Sequence, residues 1–228
     1  MSLYLYEQIM LLALRDKEGT INPVSHYQFA LAGAILADLL LHKFVHIDRS
    51  KRRKIVELDN FQICGDNIID ECLSKLKNAN RRASIETWIH RFSSLRDLKH
   101  RVARQLCAKG ILRADEDTIL LIFRRRIYPE LNPEPENKII DKIRMAIIAT
   151  DKHIDTEAII LLSIAKSTNL MSSILTRSEQ KEYKARIKHL INGEITGPAT
   201  KEAVEAMQAA VIIASIMPAI IASTTTST

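Results

Sequence analysis

Residues 25–42, SHYQFALAGAILADLLLH, constrain the fold more than any other stretch. Phe29, Ala30, Ala32, Gly33, Leu36, Ala37 and Leu40 follow helical spacing, and apolar residues fill most of the positions between them. A helix that is apolar on every side must be covered on every side. Ala30, Gly33, Ala34 and Ala37 are small enough for a neighbouring helix to cross closely. The stretch therefore predicts the centre of a helical bundle, and with it a mainly α fold: a single helical domain around a central bundle with short β-hairpins.

The rest of the chain can supply the cover. At 228 residues it is long enough to bury a sizeable core as one domain. It is 46% hydrophobic and 26% charged, the balance of an ordinary globular domain, and its six glycines and six prolines leave long stretches free to be helical. Amphipathic helices are predicted over residues 4–15, 66–77 with Asp66 as N-cap, and 84–92. In the last of these, Trp88 shares the inward face with Ile85, Ile89 and Phe92. Beyond Pro129, Pro133 and Pro135, helices follow over 136–150, 155–167, 177–193 and 199–222. Strands at 44–47 and 54–58 flank the basic turn Asp48-Arg49-Ser50-Lys51-Arg52-Arg53. The domain is expected to occupy residues 1–222, ahead of a disordered Ser/Thr tail over 223–228. The apolar segment 203–222 contains Glu205, Gln208 and Pro218 and reads as a buried helix, not a membrane span. The N-terminus has no basic leader and reads as a core helix. Cys64, Cys72 and Cys107 form an odd set without close pairing, which suits a reducing compartment such as the cytoplasm.

Positive charge concentrates in one place. Residues 95–126 hold nine Lys/Arg against four Asp/Glu, in a chain of net charge +6. A helix is predicted over 95–109, with Leu95, Leu98, Val102 and Leu106 as its apolar stripe and Gly110 as its stop. Arg96 and Lys99 lie three apart along one edge of that stripe, whereas Arg101 and Arg104 point away from it toward water. A hairpin follows, with strands at 111–113 and 118–123 around the turn 114–117. Ile119, Leu120, Leu121, Ile122 and Phe123 make an apolar strand that needs a partner, either a membrane, a second subunit or the fold itself. Arg124, Arg125 and Arg126 flank it as a positive girdle.

No catalytic constellation stands out. The six glycines are isolated, so no phosphate-cradling loop is present. His42 and His46 are four apart but straddle a helix–strand boundary and lack a third ligand nearby. The acidic groups Asp70-Glu71 and Asp115-Glu116-Asp117 are placed on a helix surface and a hairpin tip. The expectation is a non-enzymatic protein with no catalytic residue, no metal and no cofactor.

Several blocks resemble the Golgi phosphoprotein 3 (GPP34-like) family. YEQIMLLALRDKEG is similar to that family's opening block, and FALAGAILADLLLHKFVHI to its central helix and following strand. CGDNIIDECLSKL, IETWIHRFSS and LKHRVARQLCAKGILRADEDTILLIFRRRIYP resemble three further blocks, in the same order and at similar spacing. The resemblance implies a mostly helical domain whose eukaryotic members are cytosolic peripheral-membrane adaptors. Those members bind phosphatidylinositol 4-phosphate on Golgi membranes and retain glycosyltransferases. Their headgroup pocket uses a basic pair that maps onto Arg96 and Lys99, and their apolar hairpin maps onto residues 111–126. Two positions depart: Ala32 stands where eukaryotic members have an arginine, and INPVSHY stands where they have a tryptophan.

The expected function is a cytoplasmic module, peripherally membrane-associated, whose partner is anionic phospholipid. Arg96 and Lys99 would hold the headgroup phosphate. The hairpin would contact the membrane or build a homo-oligomer. Helix, basic helix and hairpin in succession also describe a winged-helix nucleic-acid binder, and an accessory protein in a biosynthetic pathway is the third alternative.

Overall fold

The computed structural model describes residues 2–15, 18–21, 26–48, 50, 54–119, 123–148 and 155–191, with the backbone only at 118, 119, 123 and 124. The basic turn at 49 and 51–53, the apolar run 120–122, the predicted helix 199–222 and the tail 223–228 lie outside the described residues.

The described residues are mainly helical. In chain order they form α1 (Leu5–Ala13), α2 (Tyr27–Leu41), β1 (Val45–Asp48), β2 (Ile55–Leu58), α3 (Asn67–Lys77), β3 (Ala83–Ser84), α4 (Ile85–Ser93) and α5 (Leu98–Ala108). There follow β4 (Asp115–Ile119), β5 (Phe123–Ile127), α6 (Glu134–Ile148), α7 (Thr156–Ser167), α8 (Arg177–Glu182) and α9 (Lys184–Ile191).

As its composition requires, α2 is the centre. Every residue from Ala30 to Leu40 is buried, and the helix packs against α1, α4 and α7. One of those buried residues is a carboxylate. Asp38 accepts the backbone N–H groups of Leu5 (3.0 Å) and Tyr6 (3.2 Å), and so caps the first turn of α1 from across the bundle. Burial still pushes its carboxyl well above the usual range, and the two N–H donors offset only part of that. Asp66 is a second polar node. It caps α3 as expected, accepting from Ile68 and Ile69 N–H, and it also accepts from the Tyr6 hydroxyl (2.6 Å) and Gln105 Nε2 (3.0 Å). One side chain thus ties α1, α3 and α5 together.

The strands differ from the sequence expectation. β1 and β2 pair antiparallel near the predicted positions, but β3 joins them as a third strand, too short to carry a periodic signal. In the basic region, the second hairpin is shifted. Its strands are Asp115–Ile119 and Phe123–Ile127, in a register that sets Ile119 opposite Phe123 and Asp117 opposite Arg125. The acidic triplet is therefore a strand and not a turn, and the arginine triplet is its partner and not a girdle. Opposite charges facing each other across an antiparallel pair stabilise that register, and Asp117 bonds Arg125 at 2.6 Å. Ile119 and Phe123, the first and last residues of the apolar run, thus lie on opposite strands.

Two helix ends also differ. α5 begins at Leu98, not 95, because Asp97 takes a left-handed conformation (φ 53°) that interrupts the helical path. The predicted helix 177–193 is two helices, α8 and α9, parted at Tyr183.

Candidate functional site

The basic stretch is split by its surroundings into structural and available charges. Arg101 is structural. It is only 23% exposed, bonds Glu71 of α3 at 2.5 Å, and donates a further bond to the Asn67 carbonyl (3.2 Å). This corrects its reading as a solvent-facing residue, since the carboxylate that holds it comes from another helix. Lys109 is also structural: its ammonium sits 2.6 Å from both carboxylate oxygens of the fully buried Glu7. Arg104 is exposed and returns a bond from Nε to the His100 carbonyl (3.2 Å).

Arg96 and Lys99 part company. Arg96 precedes α5 instead of riding on it, so the two do not share a helix face. Its side chain is 97% exposed, and Asp97, 3.8 Å away, gives it only a loose counter-charge. Lys99 lies in the first turn of α5 and is half-buried. It has no carboxylate partner among the described residues. Burial lowers its ammonium pKa first, and the neighbouring Arg125 lowers it further.

The neighbours of Lys99 were not legible in the sequence. The return strand β5 brings Arg125 and Arg126 to the start of α5. His100 senses the same field: burial holds its pKa down, followed by Lys99 and then Arg126. Its ring bonds the Tyr128 hydroxyl through Nδ1 (2.9 Å), and Tyr128 directly follows β5. The chain that fixes Tyr128 is itself pinned, since Tyr128 N–H donates to the Gly19 carbonyl (2.8 Å) and Arg113 N–H donates to the Pro129 carbonyl (2.9 Å). The result is a patch where Lys99, His100, Arg125 and Arg126 converge, with Arg104 and Asp97 also acting on His100 and Glu116 opposite Arg126. Asp117 neutralises Arg125 in part. Such a patch favours a doubly charged anion, because each like-charged neighbour that an anion screens returns electrostatic energy.

This geometry fixes a pH response. The His100 imidazole is easier to deprotonate in the folded protein than in the unfolded chain. Its neutral form contributes stability above the unfolded value of about 6.5, and that contribution is lost as pH falls through the lower folded value. In an NMR titration, His100 is expected to titrate below ordinary histidine, and inorganic phosphate is expected to raise its midpoint. A midpoint that phosphate leaves unmoved would contradict an anion at this patch.

Of the other predicted contacts, Ile119, Phe123 and Arg124 are described only in their backbone, and Leu120, Leu121 and Ile122 lie outside the described residues. No group of three or more potential metal-ligating side chains occurs among the described residues. His46 instead pairs with Asp59 at 2.5 Å, and His42 bonds the Asp38 carbonyl at 2.8 Å. No described helix is long and apolar enough to cross a membrane.

Comparison with known proteins gives the chain its relatives. Vacuolar protein sorting-associated protein 74 of Schizosaccharomyces pombe is 26% identical over 166 residues, covering 64% of this chain and 48% of that protein. The match thus spans about half the length of that relative. The family model of Golgi phosphoprotein 3 (GPP34) matches residues 5–207, from the first turn of α1 to beyond α9. A match of that extent, on a helical domain with a fully buried α2 at its centre, places this chain in the Golgi phosphoprotein 3 (GPP34) family.

Proposed function

We propose that the chain is a non-catalytic peripheral-membrane module that binds anionic phospholipid headgroups at the Lys99–His100–Arg125–Arg126 patch. The observation that carries this reading is Lys99: half-buried, lowered in pKa, beside another cation, and without a carboxylate partner among the described residues. A headgroup phosphate entering the patch would accept charge-assisted hydrogen bonds from Lys99 and Arg126. It would also relieve the repulsion that Lys99 shares with Arg125. Arg96, extended into solvent, would add attraction at longer range, about 1 kcal/mol for a basic residue close to an anionic bilayer.

The family resemblance supports the same reading and also sharpens it. In eukaryotic members the headgroup is that of phosphatidylinositol 4-phosphate. Here the position of their additional arginine is Ala32, a 0% exposed methyl group within α2. The reading for this chain is therefore anionic phosphate in general. The cytoplasmic face of a membrane is its proposed place of action.

The test is co-sedimentation with vesicles. Vesicles containing anionic phospholipid should pellet the protein, neutral vesicles should not, and pelleting should fall as salt shortens the Debye length from about 10 Å at 0.1 M. Equal weak pelleting by both kinds of vesicle would sink the proposal.

A further inference from the structure

A second basic site lies elsewhere on the molecule. Between α3 and α4 opens a cleft of about 780 Å³, lined by Lys75, Asn80 and Arg81 on one side and Trp88, Arg91 and Ser94 on the other. None of its lining residues belongs to α5, β4 or β5, so it is separate from the Lys99 patch. No acidic side chain lines it. Lys75 has Glu71 at 3.7 Å, while Arg81 and Arg91 have no ion-pair partner among the described residues.

Trp88 gives the cleft its second feature. As its place on the inward face predicts, the side chain is only 2% exposed. Its indole N–H is nevertheless buried without a hydrogen-bond partner among the described residues. Buried donors are nearly always paired, and one left unpaired calls for an explanation. The Arg91 guanidinium stands 4.5 Å from the ring centroid, a cation held over an aromatic face. The cleft has the size of a small-molecule site and is far larger than one carboxylate requires. Two guanidinium groups without an ion-pair partner among the described residues, beside amide and hydroxyl groups, suit the charge and the acceptor oxygens of a phosphate group.

We propose that the α3–α4 cleft binds a phosphate-bearing ligand, with Arg81, Arg91 and Lys75 supplying charge and the buried Trp88 ring backing the Arg91 guanidinium. This inference does not depend on the membrane reading.

Trp88 is the chain's one tryptophan, so its fluorescence reports on this cleft alone. The full chain is titrated with inorganic pyrophosphate at constant ionic strength, with chloride as the control. A saturable change in emission is expected. Arg81→Gln/Arg91→Gln should weaken it by about tenfold or more, whereas Lys99→Gln/Arg126→Gln should leave it unchanged. Because Arg91 touches the fluorophore, calorimetric titration in the Lys99→Gln/Arg126→Gln background, where the other basic patch is removed, provides a readout independent of emission. Vesicles carrying anionic phospholipid form a second arm. A response to vesicles alone, abolished by the Arg81/Arg91 pair, identifies lipid phosphate as the source; a response to pyrophosphate identifies a soluble phosphate ligand. The inference is overturned if neither probe gives a saturable response, if the emission response survives Arg81→Gln/Arg91→Gln, or if Lys99→Gln/Arg126→Gln removes the pyrophosphate response equally.

Discussion

Replacing Lys109 with alanine is expected to destabilise the protein by about 3–5 kcal/mol, the range for removing one partner of a buried ion pair. The Glu7 side chain that Lys109 holds is 0% exposed, and the ammonium lies 2.6 Å from both its oxygens. Truncation would leave a buried carboxylate with the Tyr4 backbone N–H (3.0 Å) as its remaining described donor. Because domains are stable by only about 5–15 kcal/mol, such a loss removes much of the margin. The pair joins α1 to α5, so the effect should appear as loss of the whole cooperative transition and not as local fraying. Urea denaturation measures it. Glu7→Gln/Lys109→Met, which removes both charges together, should recover most of the loss. A loss below about 1 kcal/mol in Lys109→Ala would mean that the pair behaves like a surface salt bridge.

Gly19→Ala should cost nearly as much for a different reason. Gly19 has φ 58°, and a Cβ there would lie 2.2 Å from the backbone nitrogen of Pro129 and 2.3 Å from the carbonyl carbon of Tyr128. The left-handed conformation alone costs an alanine about 1–2 kcal/mol, and two backbone segments in collision have no flexible side chain to yield. Gly110 provides the control. Its φ is 72°, but a Cβ added there would meet nothing within 4 Å among the described residues, so Gly110→Ala should show the conformational cost alone. The consequence reaches the site, since Gly19 accepts the Tyr128 N–H and Tyr128 bonds His100. Gly19→Ala should therefore also move the His100 titration toward the ordinary histidine value, which Gly110→Ala should not do. Stabilities of Gly19→Ala and Gly110→Ala within about 0.5 kcal/mol of each other, the usual scatter of innocuous substitutions, would show that the approach of the two segments is not tight.

These effects mark how far the sequence could be read. The bundle was legible because α2 is apolar on every side, which needs no partner to be identified. The cap at Asp66 was legible because a cap acts within one turn, and its side chain accepts the N–H groups of the first turn. The β4–β5 hairpin was misplaced because a five-residue apolar run has strand propensity wherever it falls. The opposed blocks Asp115-Glu116-Asp117 and Arg124-Arg125-Arg126 carried the true register as charge complementarity. Arg101 was misread because helical periodicity says which way a side chain points and nothing about the Glu71 carboxylate waiting on α3.

The same divide runs through the site. Lys99 could be picked out by its resemblance to a family position. Its half-burial and the approach of Arg125 depend on β5 folding back onto α5, a contact between distant segments with no local signature. Arg96 pairs with Lys99 only if one continuous helix carries both, and the left-handed Asp97 breaks that continuity. Lys99 therefore stands beside Arg125 of β5 and shares no helix face with Arg96.

The most direct measurement compares two equal charge reversals in vesicle co-sedimentation, Lys99→Glu in the patch and Lys181→Glu on the exposed surface of α8. Binding to anionic vesicles should fall by about tenfold or more in Lys99→Glu, at about 1 kcal/mol for each unit of charge near the bilayer, while Lys181→Glu should bind like the unaltered protein. Equal losses in both variants, or none in either, would contradict a headgroup site at Lys99.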